Sequence, residues 1–133
     1  MEAFESSAVF EGGLEGMGRV HAWLDSLPLS GAGVSPKTVQ RVRLGLAEAF
    51  SNAVLHAHGG RADLPVAVRI AFVPGNEPCI QLEVTDRGPG FVLGPTIAPG
   101  EEAERGRGLM ILRTLASRVE YEKNTLALWI KPS

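Results

Sequence analysis

Three polar residues, Glu48, Asn52 and His56, recur at steps of four along one stretch of the chain. Residues four apart lie on the same face of an α-helix, so this spacing predicts that the three side chains face one place. A glutamate there can accept a proton from an attacking hydroxyl, and an asparagine can give Mg²⁺ an oxygen ligand without adding charge. His56 could contact phosphate or support the other two residues. The alternative is that they form only the solvated side of an amphipathic helix.

A second candidate segment, Asp-Arg-Gly-Pro-Gly-Phe, begins at Asp86 and follows a stretch of alternating apolar and polar residues. A carboxylate at the end of a strand can point into a pocket and accept a hydrogen bond from an exocyclic amine such as that of adenine. Gly88 and Gly90 allow a sharp backbone turn and leave room for a flat base. The alternative is an ordinary strand-to-loop turn, in which Asp and Gly are common.

The third segment, Gly-Arg-Gly-Leu, spans residues 106–109 and is predicted to open a helix. Glycines at a helix start expose backbone N–H groups at the positive end of the helix dipole, which suits phosphate oxygens. Arg105 and Arg107 could add charge-assisted contacts, whereas the plain alternative is a helix start with glycines as a hinge. A dinucleotide-binding loop is disfavoured because Ile111 stands where its third glycine would be. In this order, the three segments predict a site for Mg-ATP.

Composition limits the class of protein. The chain has 133 residues, of which 44% are hydrophobic and 21% charged, as expected for one globular domain. The net charge of -2, without a basic stripe, does not favour a nucleic-acid surface. A single cysteine, Cys79, excludes an internal disulfide, and no leader or long apolar run is seen. We therefore expect a cytoplasmic protein that binds neither nucleic acid nor membrane.

The apolar pattern predicts three helices. Apolar residues recur at steps of three and four over residues 14–27, which predicts an amphipathic helix. Ser35-Pro36 supplies an N-cap and a proline at the first helical position, so a long helix is predicted from there to about residue 58. A third helix is predicted over residues 109–119.

The remaining elements are predicted strands, at residues 8–10, 65–73 and 80–85 and on both sides of a Lys123-Asn124 turn. The turn residues 74–78 make the second and third strands antiparallel neighbours. The expected fold class is α+β: a two-layer sandwich with an antiparallel-rich mixed sheet covered on one face by helices.

With its three segments in this order, the chain resembles the GHKL or Bergerat-fold ATPases over about residues 10–131. The forms E-x-x-x-N-A-x-x-H, D-x-G-P-G-F and G-R-G-L, together with the small size, resemble most the anti-sigma-factor serine kinases of bacterial partner-switching systems. The resemblance implies one histidine-kinase-like ATPase domain over residues 1–133.

The resemblance also implies roles for particular residues. Glu48 would be the general base for a substrate serine, Asn52 the Mg²⁺ ligand and Asp86 the reader of adenine. An ATP lid would cover about residues 92–105. Asn124 stands where the family has a glycine before its threonine. The implied nucleotide-contacting residues are Asn52, His56, Asp86, Gly88, Gly90, Arg105, Gly106, Gly108, Leu109 and Thr125.

The activity that the resemblance implies is transfer of the γ-phosphoryl group of ATP, with Mg²⁺, to a serine of a STAS-type anti-anti-sigma protein. Sequestration of a sigma factor would be a second activity, and a homodimer would form through the first strand and helix. One alternative is an ATP-binding module that binds a regulatory protein without phosphorylating it. Another is the catalytic domain of a histidine kinase, which the lack of a helical hairpin carrying a phosphoaccepting histidine disfavours.

Overall fold

The computed structural model describes residues 3–11, 13–89 and 102–132, with the backbone alone for residues 102–107. Within these ranges the chain forms three α-helices, α1 (Met17–Asp25), α2 (Pro36–Asn52) and α3 (Glu102–Leu115). The strands are β1 (Phe4–Phe10), β2 (Val66–Val73), β3 (Cys79–Thr85), β4 (Arg118–Glu122) and β5 (Thr125–Ile130). A short 3₁₀ helix, Gly13–Gly16, precedes α1, and a π-helical turn, Ala53–Ala57, continues α2.

The five strands form one sheet in the order β1-β2-β3-β5-β4. All the pairings between these described strands are antiparallel. The β4–β5 hairpin turns at Lys123 (φ 50°) and Asn124 (φ 66°), two successive left-handed residues, as two-residue hairpins prefer. The predicted α+β sandwich is thus confirmed, and the described part of its sheet is antiparallel throughout.

Helix α2 starts where the sequence predicts. The hydroxyl oxygen of Ser35 accepts a hydrogen bond from the Thr38 N–H at 3.2 Å, and Pro36 occupies the first helical position. The helix departs from the prediction near its end, because the backbone widens into the π-helical turn after Asn52. The segment then closes at Gly59 and Gly60, which both have positive φ angles.

The third helix differs from the prediction at both ends. It begins at Glu102 rather than near Gly108, because the Glu-Ala-Glu-Arg run that starts there consists of strong helix formers. Gly106 and Gly108 therefore lie inside the helix and not ahead of its first turn. The helix ends at Leu115, and Val119 belongs to β4, where it pairs with Leu128 of β5.

The helices cover one face of the sheet, and the core lies between the two layers. Phe50 of α2 meets Phe10 of β1 edge to face, with ring centroids 6.4 Å apart, and Phe10 meets Trp23 of α1 at 5.8 Å. These rings tie the edge strand to two helices. In the part of the chain that is described, no helix has the length and apolar character needed to cross a bilayer.

The opposite face of the sheet carries a row of charges across three strands. The guanidinium of Arg69 on β2 donates to Glu5 on β1 at 2.8 Å and to Glu83 on β3 at 2.5 Å. The hydrogen bond from Arg69 lowers the pKa of the Glu5 carboxyl. Pairs of this kind add little stability on an exposed surface, but they favour the observed strand register.

Truncation of the fully buried Phe50 tests the importance of this aromatic cluster. We expect Phe50→Ala to lower the free energy of unfolding by about 3–5 kcal/mol, because a buried ring is replaced by a cavity. The matched control is Leu44→Ala on the same helix, where the residue is 46% exposed. The free energy of unfolding should fall much less in this variant than in Phe50→Ala. Urea denaturation followed by circular dichroism measures both values, and equal losses would contradict this account of the core.

Candidate functional site

Helices α2 and α3 bring two of the candidate segments together. A Cβ atom at Gly108 would lie 3.3 Å from Glu48 Oε2 and 3.9 Å from both amide atoms of Asn52. Any larger residue at position 108 would therefore fill the space beside Glu48 and Asn52. Glycine therefore lets α3 pack closely against Glu48 and Asn52 of α2, although Gly108 is not at a helix start as the sequence suggested.

Asn52 is buried, with only 7% of its surface exposed, and its Nδ2 atom has no hydrogen-bond partner among the described residues. An unpaired buried polar group costs about 1–3 kcal/mol. Rotation of the amide can present either its nitrogen or its oxygen to the neighbouring space. Such a side chain is suited to a ligand that completes its hydrogen bonding or takes its oxygen as a metal ligand.

Asp86 follows β3 and is also buried, with 5% exposure. Its Oδ1 atom accepts hydrogen bonds from the Gly88 N–H and from Asn124 Nδ2, both at 2.8 Å. Its Oδ2 atom accepts one from the Tyr121 hydroxyl, also at 2.8 Å. Ala49, Asn52 and Ala53 of the α2 segment line a small cavity of about 10 Å³ together with Asp86 and Tyr121. The side chains of Asn52 and Asp86 thus border the same space.

His58 joins the turn after β3 to the end of the α2 segment. It is 4% exposed, and its Nε2 atom accepts a hydrogen bond of 2.7 Å from the Arg87 N–H. The sequence interpretation missed His58 and chose His56, because it extended the period of four beyond Asn52. Half-buried His56 lies within the π-helical turn, where the regular period of four ends, and its contact with phosphate stays a prediction. The Gly-Gly pair that follows His58 was the available signal that this histidine ends the segment.

Gly88 is required by close packing. A Cβ atom there would lie 2.2 Å from the carbonyl oxygen of Ala57, far inside contact distance. The Ala57 carbonyl thus occupies the Cβ side of Gly88, and the room that Gly88 would leave for a flat base stays a prediction for its other side. The glycine instead lets the turn after β3 pack against the π-helical turn.

The other predicted residues are not brought to this place or fall outside the description. The Thr125 hydroxyl lies 2.8 Å from the Thr85 hydroxyl, on the sheet face away from the helices, so Thr125 does not join Asp86. Leu109 is a buried core residue. Arg105 and Gly106 lie in the part of α3 described by its backbone alone. Gly90 and residues 92–101 of the predicted lid lie outside the described residues.

A family model, that of the histidine kinase-like ATPase domain, matches residues 10–131. The chain therefore belongs to the histidine kinase-like ATPase domain family, which is of the GHKL type. Among curated proteins none matches the sequence. Membership implies that the domain binds ATP and has ATP-dependent phosphotransfer or ATPase activity in general. The unpartnered amide of Asn52, with the Glu48 carboxylate nearby, fits a ligand with oxygen-rich phosphates and a bound cation.

Substitution of Gly88 tests whether the turn after β3 belongs to the ATP site. Gly88→Ala places a methyl group against the Ala57 carbonyl, so the turn that carries Asp86 must move. We expect ATP affinity to fall by about tenfold or more, which corresponds to about 1.4 kcal/mol. Titration calorimetry measures the affinity.

The matched control is Gly18→Ala in α1, where a Cβ atom meets nothing within 4 Å. This variant should bind ATP like the wild type. Unchanged affinity in the Gly88→Ala variant would show that the turn is not part of the nucleotide site.

Proposed function

We propose that the protein is an ATP-dependent serine kinase that also acts as an anti-sigma factor. Its substrate would be a serine of a STAS-type anti-anti-sigma protein, and it would bind a sigma factor as a homodimer in the cytoplasm. The observation that carries the kinase proposal is the position of the Glu48 carboxylate beside Gly108 and Asn52. A carboxylate is thereby adjacent to the space where phosphates and a metal ion would be held.

Glu48 has the accessibility that a general base for a protein substrate requires. It is half-buried on α2, in contrast to Asn52 one turn later, which is buried. A serine hydroxyl can therefore approach Glu48 from solvent while Asn52 lies deeper. The Glu48 carboxylate would take the hydroxyl proton as the serine oxygen bonds to the γ-phosphorus and ADP leaves. ATP supplies the transferable phosphoryl group.

Asn52 would hold the metal ion, and Asp86 would bind the adenine amine. In the described ranges no three acidic, histidine or cysteine side chains form a metal-binding group. Mg²⁺ commonly takes only one or two protein ligands and shares the rest with phosphates and water, so Asn52 suits this role. Asp86 keeps an acceptor position on Oδ2, because one hydrogen bond is described there, and this position suits the adenine amine.

Substitution of the proposed base separates catalysis from binding. In the Glu48→Gln variant we expect phosphoserine formation to fall by about 10²- to 10⁴-fold, because the amide cannot accept the proton. ATP affinity should remain close to wild type. The control is Glu77→Gln in the β2–β3 turn, at the end of β3 opposite to Asp86. Full activity in the Glu48→Gln variant would refute the assignment of the base.

The assay for this prediction also identifies the substrate. The protein is incubated with Mg²⁺, γ-labelled ATP and STAS proteins from the same genome, and acid-stable phosphoserine is located. Label on one serine of one STAS protein supports the kinase proposal. If the wild-type protein binds ATP and labels none of them, an ATP-dependent binding module becomes the better account.

Asp86→Asn tests the adenine end of the site. We expect the affinity for ATP to fall by about 1.5–3 kcal/mol, because an amide replaces an acceptor-only group with one that also carries donor hydrogens. Affinities for ATP and GTP are measured together with thermal unfolding, which controls for lost hydrogen bonds to Tyr121 and Asn124. An unchanged preference for ATP over GTP would contradict the adenine-reading role.

A further inference from the structure

We infer that Tyr121 and Asn124, on the β4–β5 hairpin, position the Asp86 carboxylate and so determine affinity and base selectivity at the nucleotide site. This inference deepens the proposed adenine-reading role of Asp86 and rests on it. Neither residue was among those that the sequence pattern selected. Both were found because their side chains donate to Asp86 in the structure.

The hydrogen bonds to Asp86 leave few acceptor positions free. A carboxylate offers about four lone-pair positions, two on each oxygen. The Gly88 N–H and Asn124 Nδ2 occupy both acceptor positions on Oδ1. On Oδ2 the Tyr121 hydroxyl occupies one. The remaining position on Oδ2 is therefore the natural place for a base amine, and Tyr121 fixes its direction.

Asn124 connects two turns. Its amide nitrogen donates to Asp86 Oδ1 at 2.8 Å and to the Gly88 carbonyl oxygen at 2.7 Å. The backbone carbonyl of Asn124 accepts a hydrogen bond from the Asp86 N–H at 2.9 Å. Asn124 also has a φ of 66°, a backbone conformation that asparagine adopts more readily than most residues. Asn124 thus fits the left-handed position of the hairpin, and its side chain holds the turn after β3 against the hairpin.

Thr125 cannot supply the hydroxyl that Tyr121 supplies. Successive residues of a strand point to opposite faces, and Thr125 pairs with Thr85 on the face away from the helices. Tyr121 pairs with Leu126 and lines the same small cavity as Asn52 and Asp86. The sheet geometry therefore places the Tyr121 hydroxyl, and not that of Thr125, beside the Asp86 carboxylate.

A fixed carboxylate is expected to discriminate between purines. Adenine presents an amine to Oδ2, whereas guanine has a carbonyl oxygen at the same ring position. Two acceptors that face each other repel, and a carboxylate held by Tyr121 cannot rotate to relieve this repulsion. Loss of the tyrosine hydroxyl should therefore weaken ATP binding and, in particular, reduce the preference for ATP over GTP.

The test uses three variants of the whole chain. Tyr121→Phe removes the hydroxyl and keeps the ring. Asn124→Gly removes the amide and keeps a residue that tolerates the left-handed conformation. The control is Lys123→Gly, which makes the same replacement one residue earlier, also at a positive φ. Titration calorimetry gives the affinities for non-hydrolysable ATP and GTP analogues, and circular dichroism melting without nucleotide checks folding.

We expect Tyr121→Phe and Asn124→Gly each to weaken binding of the ATP analogue by about three- to tenfold, with the ATP-to-GTP affinity ratio lowered at least threefold by Tyr121→Phe. Lys123→Gly should match the wild type in both quantities. The affinity ratio matters most, because a purely structural effect on the hairpin would weaken both analogues equally.

Three results would overturn the inference. The first is an unchanged ATP-to-GTP affinity ratio in Tyr121→Phe, or unchanged affinity for the ATP analogue in both Tyr121→Phe and Asn124→Gly. The second is an equal loss in Lys123→Gly, which would assign the effect to the shape of the turn rather than to the amide. The third is a wild-type protein that binds ATP and GTP equally, which would remove the adenine-reading role of Asp86 itself. The first two results leave that role intact, so the two failures are distinguishable.

Discussion

A carboxylate can be buried only where donors surround it, and Asp86 obtains its donors from the turn that follows it and from the β4–β5 hairpin. The neighbouring Arg87 N–H, in turn, is bound by His58 at the end of the α2 segment. Three stretches that are distant in sequence thus meet at one strand end. The site depends on this meeting, because without it the open end of β3 would carry an unpaired charge into the core.

The second half of the site depends on packing between helices. Gly108 lets α3 approach α2 so closely that a Cβ atom at this position would lie 3.3 Å from the Glu48 carboxylate. The buried amide nitrogen of Asn52 is costly without a partner, and none of the described residues donates or accepts a hydrogen bond there. This amide nitrogen is therefore available to a ligand at the proposed ATP site.

Much of the fold could be predicted from the sequence, because its signals are local. The Ser35 cap, the alternating strands and the Lys123-Asn124 turn each depend on a few neighbouring residues. The start of α3 was missed because two glycines suggested a boundary that the preceding helix formers override. The partners of Asp86 could not be predicted, because Tyr121 and Asn124 reach it through strand pairing across 35 and 38 residues. The face taken by Thr125, by contrast, follows from local alternation, because Leu126, Leu128 and Ile130 point to the core and Thr125 therefore points away from it.

The π-helical turn Ala53–Ala57 has a consequence for comparing this chain with its relatives. Its wider winding, marked by the His58 N–H bonded to the Ala53 carbonyl, uses one residue more than a regular helix would to cover the same distance. A relative whose helix stays regular reaches the place of His58 one position earlier. An ungapped alignment anchored on Glu48 and Asn52 would then place the residues from His58 onward one position away from their spatial counterparts, and a one-residue gap after Asn52 would restore the match.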